Sequence, residues 1–327
     1  MDLHTNRMGV AAVVLASGLA HGLACGVASG QTADLRYQWE RGQTLRYEAG
    51  QETVQEMKGG MFDSNSEVEN RSVSEMTVVG VRDGAAEIEV TTTSIRVDAD
   101  MGQMGGGRVQ YDSENPDDQA LENDPSILPF AFMLGKTYTM TLDGAGELQE
   151  LDGYAEIVDA MLEKVSPQMR MGMGSALAEE VFAAALEQMW HVVPGEETEV
   201  GESWESHITQ SIPMLGNLII DVTYTFEGMQ EHAGADLALI SSVGTVSIDG
   251  AGGMGLEIKE GSLEGEILFD AGRGVLVSFV QDQTMVMSIN AGGMAMEQRS
   301  ETRMSSRLLE GDAEDVEDAG GDEDGGR

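Results

Sequence analysis

Cysteine, aromatic residues and basic residues are all scarce in this sequence. The 327 residues include one cysteine, Cys25, and only 5% aromatic side chains. A single cysteine excludes an internal disulfide and a paired-thiol metal site. The 18 Lys and Arg residues oppose 58 Asp and Glu residues, which gives a net charge of −40. This charge excludes nucleic-acid binding by phosphate neutralisation and argues against docking on anionic lipid surfaces.

Residues 1–30 have the features of an export signal. Arg7 is followed by an apolar run of small residues from Val10 to Ala20, and a small-residue stretch ends at Gly30. We therefore expect an exported protein, periplasmic or extracellular, that begins near residue 31. Cys25 is a candidate for lipidation, but Leu23 lies one place too close to it for a good acylation sequence, so soluble secretion is favoured. No later segment reaches the ~20 apolar residues of a membrane-spanning helix.

Hydrophobic periodicity divides the mature chain into three parts and a tail. Residues 31–152 and 193–309 alternate apolar and polar positions as strands do, and the Asp83-Gly84 pair predicts a hairpin. Residues 153–192 carry apolar residues at helical spacing and predict a pair of helices separated near Pro167. Residues 310–327 are acidic and glycine-rich, which predicts a disordered tail.

These patterns predict an α+β fold that is mainly antiparallel β. Short connections favour meanders over parallel crossovers. Several strands exceed the usual 3–10 residues, and we expect bulges at Gly50, Gly80 or Gly244. The predicted architecture is either long curved sheets or open barrel-like halves, packed around a central helical pair.

Several partial motifs for cofactors and metals occur in the sequence, and each lacks a required feature. Gly250–Gly255 fits a dinucleotide glycine pattern, but a strand-like sequence follows it where that motif needs a helix. His191, His207 and His232 lack zinc-site spacing, and Asp63–Glu67 lacks the glycine of a calcium loop. Repeated Met-x-Met pairs place thioethers on one strand face, where packing is favoured over copper binding. We therefore expect no catalytic residue, cofactor or metal site.

Several segments resemble a known family in the same order along the chain. They include the stretch Leu35–Glu48, Gly135–Met140, Gly201–Trp204 and Phe269-Asp270-x-Gly272-x-Gly274. Over residues 35–309 the sequence is similar to an uncharacterised bacterial family of exported proteins, domain of unknown function 6263. The resemblance implies an exported, β-rich protein and supplies no catalytic residues.

The leading hypothesis is a non-enzymatic binding module of the bacterial envelope for an amphipathic or hydrophobic ligand. Long alternating strands predict a concave apolar face, which is where curved sheets bind small ligands. The alternative is a structural or protein-interaction protein whose core is filled and carries nothing. The partner is thus an amphipathic small molecule in the first case and an envelope protein in the second.

Overall fold

The computed structural model describes residues 31–59, 63–100, 102, 107–124, 127–212, 216–232, 234–249, 256–291 and 294–309. The predicted export signal with Cys25, the acidic residues 310–327 and the glycine-rich sequence at 250–255 lie outside the described residues.

Strands dominate the described part of the chain. They are β1 (Thr32–Leu35), β2 (Thr44–Lys58), β3 (Ser64–Arg82), β4 (Ala85–Asp100), β5 (Arg108–Asp112), β6 (Thr137–Leu142), β7 (Leu148–Asp152), β8 (Glu196–Glu199), β9 (Ser203–Ile212), β10 (Gly216–His232), β11 (Ala235–Asp249), β12 (Leu256–Asp270), β13 (Val275–Ala291) and β14 (Met294–Leu309). The helices are α1 (Leu128–Ala131), α2 (Tyr154–Leu162), α3 (Pro167–Ala176) and α4 (Glu179–Trp190), with a 3-10 helix at Pro116–Asn123.

One large antiparallel sheet organises the molecule. Its 12 strands follow the order β7-β6-β4-β3-β2-β14-β13-β12-β11-β10-β9, and β5 pairs with β4 beside this path. The prediction of a mainly antiparallel β fold is confirmed. Because β2 pairs with β14 over Arg46–Lys58, both β-rich segments belong to one continuous sheet. The sheet is not closed, and β7 and β9 form its edges.

Alternating burial explains why these segments form strands. In β10 the side chains of Ile220, Val222, Tyr224 and Phe226 are buried, while the intervening residues reach the surface to varying degrees. This is the period-two pattern of a strand with one face on the core. The same face packs into the main hydrophobic core cluster.

The predicted hairpin at Asp83-Gly84 is confirmed. Both residues have positive φ, 53° and 87°, as a tight two-residue hairpin turn requires. Of the three glycines expected at bulges, Gly80 follows a register shift, whereas Gly50 and Gly244 pair in register. A Cβ atom at Gly244 would lie 2.3 Å from the carbonyl oxygen of Asp221, so close backbone approach explains that glycine.

The helical segment contains three helices where the sequence predicted two. Pro167 ends the first helical pattern but also begins α3, because proline fits the first turn of a helix, where no backbone donor is needed. The second predicted helix corresponds to α4, which begins at Glu179 after the additional helix α3. Helix α4 packs against both sheet edges, β9 and β7. It therefore bridges the gap that the open sheet leaves.

The amino-terminal segment closes one end of this core. Strand β1 pairs with β8 in a separate two-stranded sheet. The backbone N–H groups of Tyr37 and Gln38 then donate to the carbonyl oxygens of Gly144 and Gly274 at 2.9 and 3.0 Å. Leu35 and Tyr37 are buried beneath this crossing.

No helix of the described part of the chain is long and apolar enough to cross a membrane. The proposed division into segments at residues 152, 192 and 309 stays a prediction.

Candidate cavity between the sheet and the helices

A cavity of about 390 Å³ lies between the sheet and the helices. Strands β2, β3, β4, β6 and β14 supply its floor, and α1, α2 and α4 supply its roof. Its lining consists of Tyr47, Ala49, Gln51, Asn70, Ser72, Ser74, Met76, Val90, Thr92, Ile95, Pro129, Phe130, Phe132, Met133, Tyr138, Met140, Tyr154, Leu177, Phe182, Leu186, Met189, Trp190 and Ser306. None of these residues is charged at neutral pH, although 23% of the chain is Asp, Glu, Lys or Arg.

Strand alternation explains the uncharged floor. In β2 the odd-numbered residues Tyr47, Ala49 and Gln51 face the cavity, so its charged residues, all even-numbered, lie on the other face. In β3, before the register shift after Val78, the charged residues are odd-numbered and the cavity-lining residues are even-numbered. The same numbering holds in β14. All charge on these strands is thereby kept on the opposite, outer face of the sheet.

Aromatic rings form the roof at one end. Tyr154 and Phe182 stack with their centroids 4.0 Å apart, and Tyr138 meets Phe182 edge-on at 5.3 Å. Phe132 meets Tyr154 at 6.5 Å. Such offset and edge contacts add to the stability gained by burying the rings.

A second aromatic group joins the roof to the sheet. Trp190, at the end of α4, meets Tyr47 edge-on at 5.2 Å. The Tyr47 hydroxyl donates to the carbonyl oxygen of Leu276 at 2.8 Å, and the Tyr37 hydroxyl donates to that of Trp190 at 3.0 Å. These bonds fix the rings that border the cavity.

The tyrosines of the cavity stay neutral. Burial raises the pKa of Tyr154 to about 12, and it raises the pKa of Tyr47 and of Tyr138 further. The cause is desolvation, which penalises the phenolate form. At neutral pH the cavity therefore offers hydroxyl and amide groups but no base and no anion.

The polar part of the lining is concentrated on β2, β3 and β14. Ser74 Oγ lies 3.5 Å from Thr92 Oγ1. Asn70 Oδ1 and Ser306 Oγ are buried without a hydrogen-bond partner. Buried polar atoms are nearly always paired, so these two atoms can accept a partner that the protein itself does not supply.

The structure separates the residues that the sequence analysis considered for chemistry. His207 Nδ1 lies 2.6 Å from Asp221 Oδ1, and Thr209 Oγ1 lies 3.2 Å from His207 Nε2. This order resembles a nucleophile–base–acid triad, but His207 and Asp221 are more than half exposed on the outer face. Asp221 lies on β10, which pairs on both sides, whereas His207 and Thr209 lie on the edge strand β9, which pairs with β10. All three side chains are exposed on that face.

The remaining candidate residues do not converge. His191 and His232 lie at the ends of α4 and β10, and Asp63–Glu67 runs into β3 as an extended strand. Among the described residues no group of three or more His, Cys, Asp or Glu side chains could hold a metal ion. Met101 and Met104 lie outside the described residues.

The sequence analysis missed the cavity floor. The signal was present: serine and asparagine recur at even positions from Ser64 to Ser74, between charged residues at odd positions. Contacts between residues far apart in sequence determine which face of the strand lies inside. The same contacts place α1 and α4 over that face.

A family model described as "Family of unknown function (DUF6263)" matches residues 83–276, more than half of the chain. This match confirms the resemblance drawn from the sequence. No curated protein matches the sequence.

Solved structures share only distant similarity. A structure titled "Lipid-protein interactions in lipovitellin" is 10% identical with a TM-score of 0.48, covering 84% of this chain and 26% of that chain. DynF from the dynemicin biosynthesis pathway of Micromonospora chersina is 6% identical with a TM-score of 0.19, covering 85% of each chain. Salmonella typhi OmpF in complex with daunomycin is 7% identical with a TM-score of 0.22, covering 82% of this chain and 99% of that one. This chain spans about a quarter of the lipovitellin chain, and these scores carry no functional argument.

Proposed function

The chain belongs to DUF6263, a family of unknown function, and we propose that it is a non-enzymatic binding protein for a small hydrophobic or amphipathic molecule. The observation that carries this proposal is the uncharged cavity between the sheet and the helices. Its volume of about 390 Å³ falls within the range of roughly 300–1,000 Å³ typical of small-molecule sites. In this proposal the sheet curves around α2 and α4, which cover the ligand.

The lining suits an apolar guest. Met76, Met133, Met140 and Met189 contribute flexible, polarisable side chains that adapt to irregular shapes. Phe182 and its ring neighbours add large flat surfaces. A ligand that displaces water from these walls gains roughly 25 cal/mol for each Å² of apolar surface buried.

The lack of reactive groups supports binding without catalysis. General acid–base chemistry needs a group that titrates near the working pH, and covalent catalysis needs an activated nucleophile. The cavity has neither, since its tyrosines are held neutral by burial. An exported protein of this kind would carry or sequester its ligand in the periplasm or outside the cell.

A cavity-filling variant tests the proposal. Ala49 lies on the floor, so Ala49→Phe should occupy part of the volume. Val54 lies on the same strand, faces outward and is 45% exposed, which makes Val54→Phe a matched control. Titration with diphenylhexatriene, an apolar fluorescent probe, should show at least tenfold weaker binding for Ala49→Phe and unchanged binding for Val54→Phe.

Native mass spectrometry of gently purified protein supplies an independent readout. We expect a bound small molecule that is released on unfolding. No bound mass, together with equal probe binding by a folded Ala49→Phe variant, would contradict the proposal and favour a filled, structural core.

A further inference from the structure

The polarity of the cavity floor changes along the strands. At one end the floor is the row Tyr138, Val90 and Met76, whose members are direct cross-strand partners. Three rows further along, the directly opposed residues are Asn70, Gln51 and Met304. Rows on one face are about 7 Å apart, so the floor passes from apolar to polar over about 20 Å.

The polar end contains a gap flanked by hydrogen-bonding groups. Ala49 lies directly between Ser72 on β3 and Ser306 on β14. Its methyl group is the smallest side chain in this part of the floor and leaves room above it. Asn70 and Gln51 lie in the next row, and the Gln51 side chain is exposed, so this end is the one that reaches solvent.

Two atoms at this end lack partners within the protein. Ser306 is 2% exposed, and its Oγ atom is buried and unpaired. Asn70 Oδ1 is likewise buried and unpaired. The two residues lie on either side of β2 and one row apart, so strand and row spacings place their backbones about 12 Å apart. Asn70 Oδ1 can only accept a hydrogen bond, whereas the serine hydroxyl can donate or accept.

We propose that the ligand is a neutral amphipath with hydroxyl or N–H groups that bind Asn70 Oδ1 and Ser306 Oγ, and with an apolar tail that lies beneath Tyr154 and Phe182. This inference rests on the proposed function and specifies the ligand class of that site. The ligand donates to Asn70 Oδ1, which a carboxylate or a phosphodiester cannot do because it has no donor.

Charge gives a second reason for a neutral ligand. A buried carboxylate needs a cation or several donors beside it, and an ammonium ion needs an anion. The lining supplies neither kind of charge. Fatty acids and cationic amphipaths of the same chain length should therefore bind more weakly than a hydroxylated neutral lipid.

Three probes with the same dodecyl chain separate these possibilities. They are dodecylglycerol with two hydroxyl groups, dodecanoate at about pH 8, and dodecyltrimethylammonium, each used below its micelle concentration. Isothermal titration of the full mature protein should give an affinity for dodecylglycerol at least tenfold above those of the two charged probes.

A single substitution tests the assigned contact. Ser306→Ala should weaken dodecylglycerol about tenfold and should weaken diphenylhexatriene far less, because that probe has no hydrogen-bonding group. Ser305→Ala, on the neighbouring outward-facing residue, serves as the control and should alter neither. Since Ser306 Oγ has no partner within the protein, its removal is not expected to prevent folding.

The outcomes distinguish this inference from the function on which it rests. If dodecanoate binds as tightly as dodecylglycerol, or Ser306→Ala binds dodecylglycerol as the wild type does, the inference is wrong while the binding function stands. If the dodecyl probes and diphenylhexatriene all fail to bind, the proposed function itself fails.

Discussion

Gln188 on α4 donates a hydrogen bond from Nε2 to Oε1 of Gln281 on β13, at a distance of 2.6 Å. Both side chains are buried, and 93 residues separate them in sequence. The bond joins the helix that roofs the cavity to the centre of the sheet. The Nε2 atom of Gln281 has no partner of its own. Any further loss of hydrogen bonding at this pair should therefore lower the stability of the fold.

Removal of one glutamine should cost more than removal of both. Gln188→Leu leaves the whole Gln281 amide unpaired, and we expect a loss of about 1–3 kcal/mol in the free energy of unfolding. The double variant Gln188→Leu/Gln281→Leu replaces both amides with apolar groups and should recover most of this loss. Urea unfolding of the two single variants and the double variant measures the coupling. Strictly additive losses would show that the bond contributes nothing specific.

Gly146 should tolerate no side chain, because of its position beneath Trp190. Its φ is 83°, and a Cβ atom would lie 2.1 Å from the Trp190 carbonyl oxygen. Gly42 has nearly the same φ of 84° but nothing within 4 Å, so Gly42→Ala is a matched control. The control should lose about 1–2 kcal/mol from backbone strain alone.

Gly146→Ala should lose at least twice as much stability as this control, because the backbone must also move. Since Trp190 lines the cavity, Gly146→Ala should weaken diphenylhexatriene binding as well. Thermal unfolding and probe titration of both variants test this. Equal losses in the two variants would mean that the contact with Trp190 is easily relieved.

Alkaline pH should destabilise the protein through its buried tyrosines. Burial, assisted by the nearby Glu179 carboxylate, raises the pKa of Tyr154 to about 12, above the ordinary value of about 10. The folded state thus holds the proton more tightly than the unfolded state. This contribution to stability is fully present below pH 10 and is lost as the pH rises from about 10 to 12.

Tyr154→Phe should show a shallower loss of stability over that pH range. The substitution also removes the hydrogen bond from the Tyr154 hydroxyl to the Leu177 carbonyl oxygen, at 3.3 Å, so the slope with pH is compared and not the absolute stability. Urea midpoints between about pH 9 and pH 12 provide the slope. Identical slopes for wild type and variant would place the titrating group elsewhere.

Local patterns in the sequence predicted the strands but not their partners. Alternation identified the strand containing Ile220–Phe226, and Asp83-Gly84 identified the hairpin between β3 and β4, because both signals depend only on neighbouring residues. The pairing of β2 with β14 joins residues more than 200 positions apart, and no local signal specifies it. Pro167 was correctly placed at a helix boundary, but the same proline fits either the end of one helix or the start of the next.

The site was less predictable than the fold. Gly50 and Gly244 indicated irregular strands, although their role is close packing between strands and not bulges. The unpaired state of Ser306 Oγ and Asn70 Oδ1 depends on which residues surround them in the fold, and periodicity does not specify these neighbours. By contrast, the alternation of charged and uncharged residues along a floor strand predicts its uncharged face, once one inward-facing residue of that strand is known.

Raising the salt concentration should stabilise the protein. The net charge is −40, and salt screens the mutual repulsion of the excess carboxylates. The screening length falls from about 10 Å at 0.1 M to about 3 Å at 1 M salt. We expect the melting temperature to rise from low to molar NaCl. A flat or falling curve would show that repulsion among the carboxylates does not limit the stability of the protein.

One pair on the outer face should account for part of this dependence. Glu264 on β12 lies directly opposite Asp282 on β13, and like charges opposed across a ladder destabilise it. Arg303 on β14 pairs with Asp282 at 3.0 Å and offsets part of this repulsion. Glu264→Gln should therefore raise the melting temperature at low salt and reduce its rise with NaCl. Glu257, on the same strand, lies opposite Ser288, so Glu257→Gln is the control and should not stabilise. If both variants shift equally, the repulsion is spread over the whole surface and does not act between these two carboxylates.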